Sequence, residues 1–300
     1  MVERTIEGTP SALPTMLKAA LPALPGVNLL QGIRKTGGDL PDLRLSRHGV
    51  EIDPDHVAAY AEVCGFAQSG IRGQALPLTY PHMLAFPLHM GIMTDGSFPY
   101  PAIGTVHLRN VITQHRPVAP SEVLDVTAVA TNLRAHAKGK VFDLVTTVTS
   151  DDATVWESTS TYLRVGKGDK DAPSEGTPFD VVPGNGIEWR LAGNLGRRYA
   201  AVSGDHNPIH LYPLTAKAFG FPRQIAHGMW SKARCVAAIA NRLPGEVTVE
   251  VEFKKPIVLP GKAAFGSRVV DDGAHQGLDF ALTNPKSGAP HLVGRSRTLD

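Results

Sequence analysis

A carboxylate, an amide and an imidazole lie close together in the second half of the chain. Asp205, Asn207 and His210 flank Pro208. Proline fixes its own φ and disfavours the helical conformation for the residue before it, so this segment cannot continue a helix. Gly204 suits the left-handed position at which a helix ends. The segment is therefore predicted to be a helix that stops at Gly204, followed by a rigid loop that carries the three polar side chains.

A second chemical feature follows about twenty residues later in the sequence. After a short helix predicted for residues 213–219, the run Ile225-Ala226-His227-Gly228 opens an apolar pattern over residues 229–243. A glycine at the start of a helix lets another group approach closely, and the free N–H groups and the dipole there favour negative charge. An acid/base loop and such a helix start are the parts needed to enolise a carbonyl compound.

The sequence of this region resembles a known family. Tyr-Ala-x-x-Ser-Gly-Asp-x-Asn-Pro-Ile-His begins at Tyr199, and Gly-Phe and Ile-Ala-His-Gly-Met follow it up to Met229. The run is similar to that of MaoC-type (R)-specific enoyl-thioester hydratases, also called hydratase 2. More loosely, the whole chain resembles the bacterial two-domain 3-hydroxyacyl-thioester dehydratases, down to Pro-Leu-Thr-Tyr-Pro at 77–81. The resemblance implies an α+β double hotdog fold, in which each curved antiparallel sheet wraps a central helix.

The resemblance also implies roles for the polar side chains. Asp205 and His210 would exchange protons with the water or hydroxyl, and Asn207 would orient that water. The N–H of Gly228 is a candidate donor to the thioester oxygen as negative charge develops there. Which of Asp205 and His210 is the base does not follow from sequence, because such a pair titrates as a unit.

Two further residues are candidates for binding the substrate. Ser203 could contact the thioester, although a serine at this position more often satisfies backbone groups. His227 could contact the substrate or could position the helix start through its ring. Some hydratases of this type carry an arginine four residues before the aspartate, and Ala201 occupies that position here.

The first half of the chain echoes the second. Tyr60-Ala-Glu-Val-Cys-Gly matches Tyr199-Ala-Ala-Val-Ser-Gly, and Arg116-Pro-Val matches Lys255-Pro-Ile, both 139 residues apart (199 − 60 and 255 − 116). A shared spacing favours an internal repeat. Phe66 stands where the second copy has Asp205, so the first copy is predicted to have lost the acid/base loop.

The apolar stretch of the first copy, residues 76–93, contains three prolines, which predict a central helix that is kinked or begins late. The resemblance to two-domain hydratases implies that such a copy makes room for the acyl chain. The alternative is that this half only completes the dimer-like scaffold, and the two roles are compatible.

Helix signals precede a run of strand-like segments in each half. Asp53 and Pro54 are a typical helix start, and residues 15–21 could form a short amphipathic helix. Alternating or β-branched segments predict strands at 105–115, 122–132, 141–150, 154–165, 246–253, 264–270, 278–283 and 291–298. We predict a degenerate N-terminal hotdog domain at 1–165, a linker at 166–186 and a catalytic domain at 187–300.

Composition excludes several classes of protein. Among the 300 residues the net charge is only +2, which does not argue for nucleic acid, and no apolar run is long enough to span a bilayer. Residues 12–24 lack the features of an export signal, so a cytoplasmic location is expected. Cys64 and Cys235 indicate no disulfide framework.

Neither a cofactor nor a metal is expected. No glycine-rich nucleotide motif occurs in the chain. His206 and His210 have the spacing of a helical metal pair, but Pro208 disrupts the helix that this spacing requires.

The sequence therefore predicts a cofactor-independent (3R)-hydroxyacyl-thioester dehydratase of fatty-acid or polyketide metabolism, acting on coenzyme A or carrier-protein thioesters. A hotdog thioesterase and a non-catalytic acyl-binding protein are the alternatives. A serine hydrolase is disfavoured because Ser203 lacks the Gly-x-Ser-x-Gly turn. Two fused copies already form the usual hotdog pair, so the sequence leaves a homodimer open.

Overall fold

The computed structural model describes residues 2–7, 37–67, 75–173, 175, 179–184, 186–271, 273 and 276–299. The helix predicted at 15–21 lies outside these residues. The helices are α1 Pro54–Cys64, α2 Pro81–Thr94, α3 Leu195–Ser203, α4 Pro208–Leu211, α5 Pro213–Ala218 and α6 Gly228–Ile239, which a 3₁₀ turn at Ala240–Arg242 extends. The strands are β1 Val2–Thr5, β2 Leu43–Val50, β3 Thr105–Gln114, β4 Leu124–His136, β5 Gly139–Ser150, β6 Ala153–Val165, β7 Ile187–Leu191, β8 Val247–Phe253, β9 Gly261–Asp271, β10 Gln276–Thr283 and β11 Pro290–Thr298.

All described strands join one sheet, in the order β1-β2-β4-β5-β6-β3-β8-β11-β10-β9-β7. Apart from the added β1, each half repeats the same plan, since β2-β4-β5-β6-β3 and β7-β9-β10-β11-β8 have the same connectivity. The predicted antiparallel pairing holds except between β1 and β2, which run parallel. The sheet is therefore mixed. It is the sheet of a double hotdog to which one parallel edge strand, β1, is added.

The two halves meet where β3 pairs with β8. Val111 pairs with Glu250 in this register, and the rings of Tyr60 and Tyr199 lie 6.4 Å apart, centroid to centroid. Both pairs join residues 139 positions apart in the sequence. A twofold axis between two copies brings a residue on the axis against its own counterpart, so these contacts are those expected of an internal repeat.

The helix boundaries follow local signals. The side chain of Asp53 accepts a hydrogen bond from the Asp55 N–H at the start of α1, and Gly65 ends that helix at φ 78°. Gly204 ends α3 at φ 72°, as predicted. Helix α2 begins late, at Pro81, and keeps Pro87 inside.

The segment predicted as a linker joins β6 to β7, and its described residues form no helix or strand. It is not wholly exposed, because Val182 packs against Ala281 and Val293. The domain boundaries at 165 and 187 stay a prediction.

A buried polar cluster lies beneath the junction of the two halves. The ammonium of Lys232, on α6, is fully buried and donates to Asn110 Oδ1 at 2.5 Å, to Asn110 O and to Val249 O. Asn110 in turn donates to Ser158 and Ser160. Three acceptors satisfy the three donors of an ammonium, so the cluster ties α6 to both β3 and β8.

Candidate active site

The acid/base segment begins directly after α3. The N–H of Asp205 donates to Ser203 Oγ at 3.1 Å, and the N–H of Asn207 donates to Asp205 Oδ1 at 3.1 Å. Asn207 Oδ1 accepts from the Ile209 N–H at 3.4 Å and caps the one-turn helix α4. The prediction that a rigid loop carries all three side chains was wrong for His210, which lies on a helical turn that Pro208 starts and Asn207 caps.

His210 is buried and is held in one tautomer. Its Nδ1 lies 2.8 Å from the carbonyl oxygen of Ile225. A carbonyl only accepts, so Nδ1 carries the proton and Nε2 keeps a lone pair while the ring is neutral. Burial lowers the pKa of His210, against the opposing effects of the Asp205 charge and the Ile225 carbonyl. A neutral His210 can therefore take a proton at Nε2 near neutral pH.

His227 holds the backbone of Asp205 through its ring. Its Nε2 donates to the backbone oxygen of Asp205 at 2.9 Å, and its ring stacks on that of His210 with centroids 3.7 Å apart. Burial, then the neighbouring His210, lowers the pKa of His227 to about 3. A ring that is neutral near pH 7 and bonds the Asp205 backbone fits the positioning alternative considered for this residue.

Gly228 is the first residue of α6, with His227 as its N-cap. The Ser231 N–H bonds to His227 O at 3.1 Å, so the N–H of Gly228 precedes the hydrogen bonds of the helix. A Cβ at Gly228 would lie 3.2 Å from the ring of Phe253. The first observation leaves this N–H available to a substrate oxygen, and the second shows that the ring of Phe253 packs where a side chain at 228 would stand.

All six predicted site residues line one cavity of about 430 Å³, namely Ser203, Asp205, Asn207, His210, His227 and Gly228. Ser203 and Gly228 lie on the same cavity because the chain turns back between α5 and α6. Among the described residues that line the cavity, Asp205 is the sole carboxylate.

The first half contributes much of the wall, and sequence reasoning named none of these residues individually. Apolar side chains come from α2, the segment before β3 and the start of β3, and two imidazoles and a tyrosine lie beside them: Met83, Phe86, Met90, Met93, Ala102, Ile103, Val106, His82, His107 and Tyr162. The apolar stretch at 76–93 was the available signal. Nothing in the sequence marks which of its faces meets the cavity.

The ligand atoms of Asp205, His210 and His227 lie within 4.8 Å of one another and could surround a cation. His210 Nδ1 and His227 Nε2 already donate to backbone carbonyl oxygens, so each ring has one nitrogen left for an ion. His206 is exposed and bonds back to Gly204 O, away from this group. The arrangement suits a water molecule held between acid and base groups.

The comparisons with known proteins agree with this geometry. Residues 188–279 match the model of the MaoC like domain. The 3-hydroxyacyl-thioester dehydratase X of Mycobacterium tuberculosis is 40% identical over 97% of this chain and 99% of its own. The chain belongs to the MaoC-like 3-hydroxyacyl-thioester dehydratases.

Crystal structures of the family give the same fold. That of HtdX from Mycobacterium tuberculosis has a TM-score of 0.72 at 39% identity, covering 85% of this chain and all of that one. The (R)-specific enoyl-CoA hydratase of Aeromonas caviae is 35% identical over 63 residues, 20% of this chain and 47% of its own. The family model thus covers the half that carries the dehydratase motif, and the full-length relative covers both halves.

Within the described residues, no helix has the length and apolar character needed to cross a membrane.

Proposed function

We propose that this chain interconverts (3R)-hydroxyacyl and trans-2-enoyl thioesters in the cavity described above. The observation that carries the proposal is the convergence of Asp205, Asn207 and His210 on the same cavity as the free N–H of Gly228. The first three can hold a water or hydroxyl, and the fourth can hold the thioester oxygen. The names of the relatives support this reaction class, and the (3R) configuration is the one that the motif implies.

In the hydration direction, the water oxygen bonds to C3 while one of its protons passes to the Asp205–His210 pair. The pair returns a proton to C2, so one O–H bond and the π bond between C2 and C3 break, and one C–O and one C–H bond form. Positioned acid/base groups of this kind supply about 10²- to 10⁴-fold in rate. His210 enters this cycle as the neutral ring with a lone pair on Nε2, because Nδ1 donates to the Ile225 carbonyl.

As the proton reaches or leaves C2, negative charge develops on the thioester oxygen. The Gly228 N–H, at the positive end of α6, is the proposed donor to this oxygen. One such donor contributes about 3–4 kcal/mol to the stability of the transition state. His227 and Ser203 are proposed to act through Asp205, whose backbone atoms they bond.

The substrate carrier is proposed to be coenzyme A or acyl carrier protein, since both present a phosphate-bearing arm. The exposed side chains of Lys254 and Lys255 line the cavity beside His291 and suit such phosphates. The apolar wall from the first half provides room for the acyl chain. We propose that the reaction takes place in the cytoplasm. A homodimer is a further proposal, which light scattering of the purified protein would test.

The test is hydration of trans-2-enoyl-CoA esters of four to twelve carbons, followed by loss of the conjugated thioester absorbance, with the product's configuration determined. We expect the (3R)-hydroxy product, and a rate lower by about 10²-fold or more in His210→Gln. A wild-type protein that hydrates neither these esters nor the matching carrier-protein thioesters would rule the function out. Release of free thiol instead would indicate a thioesterase.

A further inference from the structure

A side chain of the first half bonds to the end of the helix that precedes the acid/base segment. His56 lies on α1 and is half-buried. Its Nε2 lies 2.8 Å from the carbonyl oxygen of Val202, on α3. Because a carbonyl only accepts, Nε2 carries the proton and donates to Val202. The bond ties the acid/base half to a helix of the half that has lost these groups.

The accepting carbonyl lies where a helix needs a partner from outside. The last four carbonyls of an α-helix have no N–H within the helix to bond. In α3, the Gly204 N–H bonds to Ala200 O at 2.9 Å, and Val202 O takes its hydrogen bond from His56. Asp205 follows three residues after Val202. The position of the Val202 carbonyl therefore affects where the chain leaves α3 and where Asp205 stands.

Tyr80 fixes the orientation of the His56 ring. Its hydroxyl lies 2.8 Å from His56 Nδ1, and the two rings meet edge to face with centroids 5.6 Å apart. Since the proton of the neutral ring is on Nε2, Nδ1 accepts from this hydroxyl. Burial, then the charge of Asp53, raises the pKa of Tyr80, so the hydroxyl keeps the proton that the bond needs. Tyr80 is 1% exposed and directly precedes α2, so it provides a firm support.

The equivalent carbonyl of the first half also accepts from the other half, but from a different residue type. Val63 is the counterpart of Val202, 139 residues earlier (202 − 63), and its oxygen accepts from Trp230 Nε1 at 3.0 Å. In a symmetric pair, both carbonyls would accept from counterpart residues. The counterpart of His56 is Leu195 (195 − 56), which has no polar side chain. The histidine bond is therefore specific to the half that carries the acid/base groups.

We propose that His56 is a positioning residue for hydration, which holds the end of α3 so that Asp205 stays in register with His210. His56 acts through the Val202 carbonyl and does not contact the substrate. The inference rests on the proposed function, because it assigns a residue of the first half to that reaction. The first half thus supports the chemistry as well as the apolar wall.

The test uses two amides that differ by one methylene group. The side-chain N–H of glutamine can take the place of His56 Nε2, whereas that of asparagine stops short of Val202 O. In His56→Asn, kcat for hydration of trans-2-octenoyl-CoA should fall by about 10- to 10²-fold, since a small misplacement of a reacting group is costly. KM should stay within about twofold, because the lost interaction acts on the chemical step. His56→Gln should keep kcat within about threefold of wild type.

Glu62→Gln is the matched control. Glu62 links the same two helices through Arg198 at 2.9 Å, and both side chains are exposed. Arg198 lies one turn before Val202, so this pair does not bond the end of α3. We expect kcat within about twofold of wild type, because exposed ion pairs contribute little. All rates are divided by the folded fraction, measured by near-UV circular dichroism, so that a loss of stability alone leaves kcat unchanged.

Equal kcat values in the asparagine and glutamine variants, whether both high or both low, would overturn the inference. So would a rise in KM with kcat unchanged. In either case, hydration by the wild-type protein leaves the proposed function standing. Absence of hydration by wild type with all thioesters would overturn both.

Tyr80→Phe provides a second measurement should His56→Asn fail to fold. It keeps the ring and removes only the hydroxyl that orients His56. We expect kcat to fall by about three- to tenfold with KM unchanged, a smaller loss than in His56→Asn because the bond to Val202 can still form. An unchanged kcat in this variant would overturn the inference.

Discussion

The same helix ending leads to different chemistry in the two halves of the molecule. Gly65 and Gly204 both end a helix in the left-handed conformation, at φ 78° and 72°. Asp205 follows the second glycine and faces the cavity, whereas Phe66 follows the first and stacks on Tyr60 at 6.3 Å. One residue type after a shared turn therefore separates a half with acid/base groups from a half that supplies apolar wall.

The two central helices also differ at their first residue, and again only the second half keeps the group needed for the reaction. Helix α6 begins with Gly228, whose backbone N–H is free to donate. Helix α2 begins with Pro81, which has no N–H. The first half has therefore lost the oxygen donor as well as the acid/base loop, yet both helix starts keep a histidine on the cavity, His82 and His227.

The largest effect is expected where the halves differ most. Asp205→Asn should lower kcat/KM for hydration by about 10²- to 10⁴-fold, because the amide cannot take a proton from water. Phe66→Ala, at the matching position of the first half, should leave kcat within a few fold. Steady-state hydration assays on both variants check this, and comparable losses in both would contradict the division of labour between the halves.

The next effect tests the difference between the helix starts. Gly228→Ala keeps the N–H but places a Cβ 3.2 Å from the Phe253 ring, and about a tenfold loss in kcat is expected. Gly228→Pro removes the N–H. Proline is tolerated at the first helical position, and His227 has the extended backbone (φ −67°, ψ 141°) that a following proline requires.

We expect the proline variant to lose a further 10²- to 10³-fold in kcat relative to the alanine variant, the usual cost of one missing oxyanion donor. Pre-steady-state measurement of the chemical step compares the two. Equal rates in the alanine and proline variants would remove the Gly228 N–H from the mechanism.

The buried histidines of the first half predict how stability depends on pH. Burial lowers the pKa of His89 to about 4, and burial and its neighbours lower that of His107 to about 3. The unfolded chain binds protons at these residues from about pH 6.5 downward, before the folded protein does. The free energy of unfolding should therefore be highest above pH 6.5, fall below it, and keep falling to about pH 3–4.

Urea titrations from pH 7 to pH 4 measure this slope. His89→Leu removes one titrating group and should flatten the slope by up to about 1.4 kcal/mol per pH unit. Thr146→Val removes only the hydrogen bond to His89 Nε2 at 2.7 Å, so it should lower stability but keep the slope. An unchanged slope in His89→Leu would show that the ring is already charged in the folded state.

The smallest effect is expected at the mouth of the cavity. Lys255→Ala should raise KM for an enoyl-CoA about two- to fivefold with kcat unchanged, because an exposed cation contributes weakly to binding a phosphate. The increase should shrink at high ionic strength, where such charges are screened. An effect on kcat would place Lys255 closer to the chemistry than its exposed position suggests.

The sequence by itself determined the local features. Caps at Asp53 and Gly204, the break at Pro208 and the late start of α2 follow from the φ values and hydrogen bonds that these residue types allow. The eight predicted strands all occur, with ends within a few residues. The motif from Ser203 to Gly228 could be recognised because its residues are near in sequence and this combination of residue types is rare.

Only the tertiary structure decided which distant residues share the cavity. Strands β1, β2 and β7 were not predicted. The short edge strands β1 and β7 are stabilised by partners far along the chain rather than by their own pattern, and β2 is held between β1 and β4. His107 lies in the same cavity as Asp205, and its strand β3 joins the second half through β8. Long-range pairing of this kind depends on the register of two strands and the burial of both faces, which no local spacing encodes.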